Sequence, residues 1–546
     1  MGYYSKHTMH GHRNKHHRGR WVRRLLFAGL AVALLMRELL YLAFCATTTG
    51  VAFWRVPWFQ TWLMVKIMTF ESRRSPVLPP ERPTAPDIAA RLSTNASKLV
   101  CAAELFVPTN VWDVHLKFAP GEWARLTPAR IPPVPVILQS DGSVVLRNPN
   151  AARNGLAGVL GIHLPWSTCD LSFGDVTFEK IAVRFKGNGT FVNSQRTYKR
   201  PFKIDLSKGA KPRRFAERSV LNFHNLVADN SCLSDTLGYE FYRAAGLPAP
   251  RTAFARLRMT IEGSFENRLL GLYLLVENPD AEWARETFGV EGMTIFKPVT
   301  CELFKYLGDD WQAYEGIYDP KTKLDGWQQQ RLIDLSRLVT QSDNASFAKR
   351  IGEFVDIGQF ARFLACEVLL ANYDGILNTG QNFILYLDPY GGRFGFVPWD
   401  LDHSWGEFPL TGTFEQRAHA SIWHPWLGDN LFFERMFMVP EFRHLYKSEL
   451  RRLRSTLFVP ETLGQRVTGL AEIIRPFVAE ESDDKLAKFE LVVHGLGKQD
   501  KLRASTTQSH QPMYSYKKFF AARAASVERQ LLGRETGIVL SRGSAR

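Results

Sequence analysis

The sequence predicts an α+β protein of two lobes, β-rich on its N-terminal side and mostly helical on its C-terminal side, with an apolar segment ahead of both. Three observations carry this. Alternating and β-branched runs broken by turn residues occupy much of the stretch from Leu105 to Val276. Beyond Asp325 the apolar residues recur at helical spacing, in Trp327–Thr340, Ala345–Phe354 and Ile357–Tyr373. A basic tail and then the apolar run Leu25–Ala46 precede the folded body.

Taken in order, residues 1–24 are a tail with seven lysines and arginines, five histidines and no acid. Leu25–Met36 has the length of a signal-peptide core, Arg37-Glu38 interrupts it, and apolar character resumes to Ala46. The whole of 25–46 is long enough to cross a bilayer at about 1.5 Å per residue. A transmembrane signal-anchor is the favoured reading, because the basic tail would stay cytoplasmic and leave the body outside. A cleaved signal peptide lacks a small-x-small site after Met36. An amphipathic surface helix, helped by the aromatic and basic run Trp54–Lys66, is the third reading. Residues 47–104 are a juxtamembrane segment and linker, with five prolines between Ser72 and Pro86.

The body is placed at 105–475, with a helical extension over 476–546. Leu105–Leu146 reads as a small β-rich lead-in. Strands Ile181–Phe185 and Pro201–Leu206 flank Lys186-Gly-Asn-Gly-Thr190. Leu233–Ala245 is an amphipathic helix, with Ser234 or Asp235 available as cap and Gly246 and Pro248 to stop it. Thr252–Ile261 and Leu269–Val276 form a hairpin, and Asn382–Leu387 and Arg393–Val397 a second one that turns at Pro389–Gly392. Helices follow at Asn430–Phe437, Glu441–Leu457 and Pro460–Val478.

An apolar fraction of 45% and a charged fraction of 23% are those of a globular chain, which excludes a disordered or fibrous one. Of the net +15, seven charges sit in the first 24 residues, leaving about +8 for the rest. That favours acidic partners or an anionic membrane surface, but it is not the dense basic stripe of a nucleic-acid binder, and no nucleic-acid partner is expected. Six scattered cysteines form no CxxC or zinc spacing. Their spacing leaves open buried free thiols or one or two disulfides.

The chemistry concentrates in Asn372-Tyr-Asp-Gly375, Gly380-Gln-Asn-Phe383 and Pro398-Trp-Asp-Leu-Asp402. A helix ending at Asp374 and a strand ending at Asp400 can present two carboxylates at one mouth. Phosphoryl transfer needs such a pair, one to accept the attacking hydroxyl's proton and one to hold magnesium. Asn382 offers a neutral oxygen for a hard cation. Asp402 fits a second ligand or a structural acceptor equally. Singly, each of these is an ordinary turn or cap residue; together they stand out. In the N-terminal lobe Gly187, Gly189 and Thr190 would let backbone N–H groups approach phosphates, although a plain β-turn explains them as well. Lys203 lies mid-strand, either facing a nucleotide or on a solvated face. Glu240 on the following helix either orients that lysine or is a surface acid. Glu277 closes a strand, a place that gathers cofactor-binding and catalytic groups but also ordinary exposed acids, and Lys297 follows in Thr294-Ile-Phe-Lys-Pro298, where it could face a phosphate or solvent.

These residues resemble the CotH kinase family, the spore coat protein H-like atypical kinases. The resemblance rests on Val183-Arg-Phe-Lys-Gly-Asn-Gly-Thr190 with Lys199-Arg-Pro-Phe-Lys203, on Leu221-Asn222 and Asp229, and on Arg243-Ala-Ala-Gly-Leu-Pro-Ala-Pro250. It continues through Gly271-Leu-Tyr-Leu-Leu-Val-Glu277, the Asp374/Asn382/Pro398–Asp402 block, Asn430-Leu431 and Pro440-Glu-Phe-Arg443, in one order over roughly 105–460. It implies a diverged, bilobal protein-kinase-like fold that binds ATP with Mg2+ or Mn2+ and phosphorylates serine or threonine. Asp374 then looks like the catalytic aspartate, Asp400 the metal-binding one, Asn382 the metal-associated asparagine and Lys203 the ATP-contacting lysine. The segments 300–330 and beyond about 475 take no part in the resemblance, and the membrane segment departs from it. The expected function is a membrane-anchored, single-pass protein kinase with an extracytoplasmic body, acting on an envelope or secreted-layer protein. A pseudokinase-like envelope scaffold is the alternative.

Overall fold

In the computed structural model residues 76–127, 137–138, 144–145, 163–496 and 513–541 are described, apart from 83, 188 and 209–211. The expected membrane segment Leu25–Ala46 and the tail before it lie outside the described residues. Among the described residues no helix is long and apolar enough to cross a membrane. The chain divides into two units, residues 1–70 with 135–146 and residues 71–134 with 147–546. Of the first, the described residues form a two-stranded ribbon, Ile137–Leu138 against Val144–Val145. The second unit holds all the others and is mixed α+β, sheet first and helices after.

Its sheet is a closed seven-stranded barrel. The strands are β1 (Val111–Phe118), β2 (Ser167–Phe173), β3 (Val176–Phe185), β4 (Phe202–Asp205) and β5 (Val220–His224). After helix α1 (Ser234–Ala244) come β6 (Thr252–Ile261) and β7 (Phe265–Val276). The order is β1-β2-β3-β4-β5-β7-β6, and β6 closes the ring by pairing parallel with β1, Val111 opposite Phe254 through Phe118 opposite Ile261. All other pairs are antiparallel.

The expected hairpin is β6–β7, and its two faces serve two cores. Ala253, Ala255, Leu257 and Met259 of β6, with Tyr273 and Leu275 of β7, fill the barrel, while Phe254, Leu272, Leu274 and Val276 point outward into the helical core. The period of two along each strand makes both assignments at once. A register slip at Leu257 and Arg258 breaks the pairing opposite Gly271, whose φ of +120° suits glycine. A Cβ on Gly271 would run into the carboxylate of Glu481, which accepts the Leu272 N–H at 2.7 Å and pairs with the buried Lys199 at 2.7 Å. The helical part is thereby pinned to the barrel wall.

That part comprises α2 (Ala281–Phe288), β8 (Thr294–Phe296), α3 (Gly326–Gln341), α4 (Asn344–Phe354) and α5 (Ile357–Leu370). There follow β9 (Phe383–Leu387), β10 (Phe394–Pro398), α6 (Leu431–Met438), α7 (Pro440–Thr456), α8 (Pro460–Glu481), α9 (Asp483–His494) and α10 (Tyr516–Leu531). The expected hairpin β9–β10 gains β8 as a third strand, in the order β8-β9-β10. Ten of the fourteen residues of α5 are buried, as a helix apolar on nearly every side requires. It stops at Leu370 and not at Tyr373, because Ala371 turns left-handed (φ +47°), so Asp374 lies in a turn beyond the helix. The five described cysteines are free thiols.

Candidate active site

The barrel contributes one wall. Phe185, Phe202, Ile204, Leu221 and Phe223 point into the barrel, so their strand neighbours point out. This outward face carries Arg184 opposite Lys203, Lys203 opposite Asn222, and then Lys186 and His224 at the strand ends. The helical part contributes the other wall. Asp374 follows α5, Asn382 precedes β9, and Asp400 and Asp402 follow β10. The hairpin brings the last two groups together, for Trp399 N–H donates to the Asn382 carbonyl at 3.2 Å. Asn382 Nδ2 in turn donates to the Asp374 carbonyl (3.0 Å) and to its Oδ2 (3.1 Å).

Between the walls lies a cleft lined by Lys186, Gly187, Thr190, His224, Asp400 and Asp402 among others. Trp399 forms its pivot: Lys186 Nζ from the barrel and Lys297 Nζ from beyond β8 lie 5.3 and 5.0 Å from its ring centre. An indole attracts cations through its ring quadrupole, so both ammonium groups are held over it. His224 Nδ1 sits 3.2 Å from Asp235 Oδ2 and 3.7 Å from Asp400 Oδ1.

The charges here are poorly compensated. Burial, and then Asp400, push Asp374 up to about 7. Burial raises Asp235 to about 6, and Asp402 is driven well above its ordinary range by burial and by Asp400, Asp235 and Asp374. Burial also lowers Lys186 to about 8 against the pull of Asp400 and Asp235, and keeps His224 (about 3) and His403 (about 4) neutral. Like charges this close cannot all ionise without a counter-ion. The donor set suits one. Carboxylate and imidazole donors of Asp374, Asp402 and His403 lie within 4.8 Å of one another, as do those of His224, Asp235 and Asp400. His403 Nδ1 is buried and has no hydrogen-bond partner among the described residues. Oxygen donors of this kind suit Mg2+ or Mn2+.

A family model described as CotH kinase protein matches residues 183–527, from β3 into α10. The chain belongs to the CotH family. It is also 26% identical over 274 residues to the inner spore coat protein H of Bacillus subtilis (strain 168), which covers 49% of this chain and 71% of that protein.

In this CotH chain the residues singled out from sequence part into two groups. Asp374, Asn382, Asp400, Asp402, Gly187 and Thr190 meet at the cleft. Gly189 opens a short helix and has open space where its Cβ would be, so nothing there demands a glycine. Lys203 points out of the barrel as one alternation required, but its Nζ reaches Asn278 Oδ1 at 3.5 Å. Glu240 does not orient it: that carboxylate is gripped by Arg466 of α8 at 2.5 and 2.9 Å. Glu277 is likewise no cleft residue. It is 1% exposed and held by Arg218 at 2.8 Å and Arg251 at 2.6 Å. The reason is angular. On α1 the positions turned toward the Asp400 turn are 235 and 239, and 240 lies about 100° round from 239. Lys186, His224 and Asp235 were missed as site residues. The signal for Lys186 was its place at the strand end directly before Gly187.

Proposed function

We propose that this CotH-family protein is an ATP-dependent protein kinase of atypical, bilobal architecture that transfers the γ-phosphate to serine or threonine of an envelope or secreted-layer protein. One observation supports it above the rest: Asp374, Asp400 and Asp402 converge at a cleft whose barrel wall carries Lys186, with Lys297 held beside them over Trp399. In this reading Lys186 and Lys297 receive the phosphate charge, and Asp374, steadied by Asn382 and Gln381, takes the proton from the attacking hydroxyl. Asp400, with Asp402, would hold Mg2+ or Mn2+, which neutralises phosphate charge when bound. Gly187 and Thr190 line the phosphate side, and Lys203 is a more distant cationic neighbour. The name of the Bacillus subtilis relative favours an acceptor in a spore coat or similar layer. Leu25–Ala46 would tether the body to a membrane as a single-pass anchor, with the body outside.

The test is transfer of labelled phosphate from ATP by the purified chain to itself or to an acceptor protein. Asp374→Ala and Asp400→Ala are each expected to lower transfer roughly a thousandfold or more. Full activity in both overturns the assignment. Magnesium-dependent stabilisation by ATP without transfer would point to a scaffold, and an acceptor gaining the mass of a nucleotide would point to a different group transferred.

A further inference from the structure

We infer that helix α1 is the positioning element for both aspartate turns, acting through Asp235, Tyr239 and Tyr242, and that Asp235 and Tyr239 thereby set how tightly Asp400 holds a divalent cation. This rests on the reading of Asp400 as a cation ligand. The three residues stand at i, i+4 and i+7, one face of a helix. Asp400 has a left-handed backbone (φ +56°), just past the end of β10. Its N–H donates to Tyr239 Oη at 2.9 Å, and the next N–H, of Leu401, donates to Asp235 Oδ1 at 2.6 Å. The other Asp235 oxygen faces His224 Nδ1 at 3.2 Å. Asp235 thus holds the turn through Oδ1 and meets the barrel's His224 through Oδ2. Three residues on, Tyr242 Oη donates to Glu367 Oε1 at 2.6 Å, and Glu367 Oε2 accepts from Asn372 Nδ2 at 3.0 Å, two residues ahead of Asp374.

Two further features fit this role. Tyr239 and Tyr242 are fully buried, whereas the Asp400 side chain is 32% exposed to the cleft, so the holders are packed away and the held group faces outward. Gly238 lies on the same helix face, mid-helix, where glycine costs about 1 kcal/mol against alanine. A Cβ there would come within 2.5 Å of Leu401 Cδ1 and 3.4 Å of its Cβ. The helix has been brought as near to the Asp400 turn as the backbone allows.

The experiment is calorimetric titration of Mn2+ into the full chain saturated with a non-hydrolysable ATP analogue, beside circular dichroism and melting of the metal-free protein. Tyr239→Phe deprives the part-buried Asp400 N–H of its acceptor, and is expected to weaken Mn2+ binding roughly tenfold. Gly238→Ala is expected to do the same by displacing Leu401. Asp235→Asn keeps an oxygen for the Leu401 N–H and is expected to stay closer to wild type than Asp235→Ala. Glu240→Ala, on the far side of α1, leaves Mn2+ binding unchanged. Tyr242→Phe is expected to lower kcat at saturating Mn2+ with little change in the Mn2+ midpoint. Wild-type Mn2+ affinity in folded Tyr239→Phe and Gly238→Ala overturns the inference. An absence of Mn2+ binding in the wild type overturns the cation reading beneath it.

Discussion

Glu277 and Asp400 are both acids placed just beyond the last residue of a strand, and their surroundings are opposites. Glu277, past β7, is 1% exposed and sits between Arg218 and Arg251, with Glu286 completing a cluster of two positive and two negative charges. Asp400, past β10, is 32% exposed and faces a neutral imidazole and other carboxylates, with no lysine or arginine at ion-pair distance among the described residues. Both are positions where a sequence reader would put a catalytic acid. The difference is one of compensation: Glu277 is matched by two buried guanidinium groups, whereas Asp400 shares an open cleft with other carboxylates, and charges left in that condition cluster at functional sites.

The comparison is broken most forcefully by exchanging each acid for its amide. Asp400→Asn should cut phosphate transfer roughly a thousandfold and leave the melting temperature of the metal-free protein within a few degrees of wild type, because its part-exposed side chain has no lysine or arginine at ion-pair distance among the described residues. Glu277→Gln should do the reverse, losing about 3–5 kcal/mol in denaturant unfolding by leaving buried guanidinium groups short of a partner, with turnover per folded molecule unchanged. Activity loss from Glu277→Gln at full stability would erase the distinction.

The two lysines of the barrel face sharpen it further. Lys186→Ala should weaken binding of a fluorescent ATP analogue roughly ten- to a hundredfold, the scale of a lost charged hydrogen bond. Lys203→Ala, which removes a contact to Asn278, should change it by less than about threefold. Equal effects would restore Lys203 to the phosphate site.

A third effect is smaller and depends on pH. Asp374 near 7 and Glu367 near 8 hold protons in the folded chain that their unfolded forms release near pH 4. The folded state therefore binds more protons between about pH 4 and 8, and stability falls as pH rises through that window. Melting curves of the metal-free protein should drop by a few degrees between pH 5 and 8, and Mn2+ should restore them at the upper end, since cation binding displaces protons. A metal-free protein more stable at pH 8 than at pH 5 would contradict the crowded-carboxylate picture. The smallest effect belongs to Glu240→Ala, whose partner Arg466 is 41% exposed; it should cost no more than about 1 kcal/mol.

Much of this architecture was legible without coordinates. Helices α3 to α8 and strands β6, β7, β9 and β10 announce themselves by period and by flanking Gly, Pro, Asp and Asn, because those signals are local. Asp374, Asn382, Asp400 and Asp402 stand out for the same reason: all four are polar residues at the ends of strong elements. The membrane segment was also read from local hydropathy, and it lies outside the described residues. What could not be read was partnership. Glu240 and Lys203 had the right residue types at a plausible distance along the chain, yet their partners Arg466 and Asn278 come from remote segments. Asp235 looked like a helix cap, and its carboxylate instead crosses to the Leu401 N–H, 166 residues away.

The amino-acid order alone determined which stretches become helix or strand and which polar residues fall at their ends, since backbone preference and apolar period act over a few residues. Only the tertiary structure decided that β6 returns to close a barrel on β1, that Lys186 and not Lys203 lines the cleft with the aspartates, and that α1 grips both aspartate turns. Those outcomes depend on contacts between segments more than a hundred residues apart, whose energies exist only once two cores have packed against a shared pair of strands.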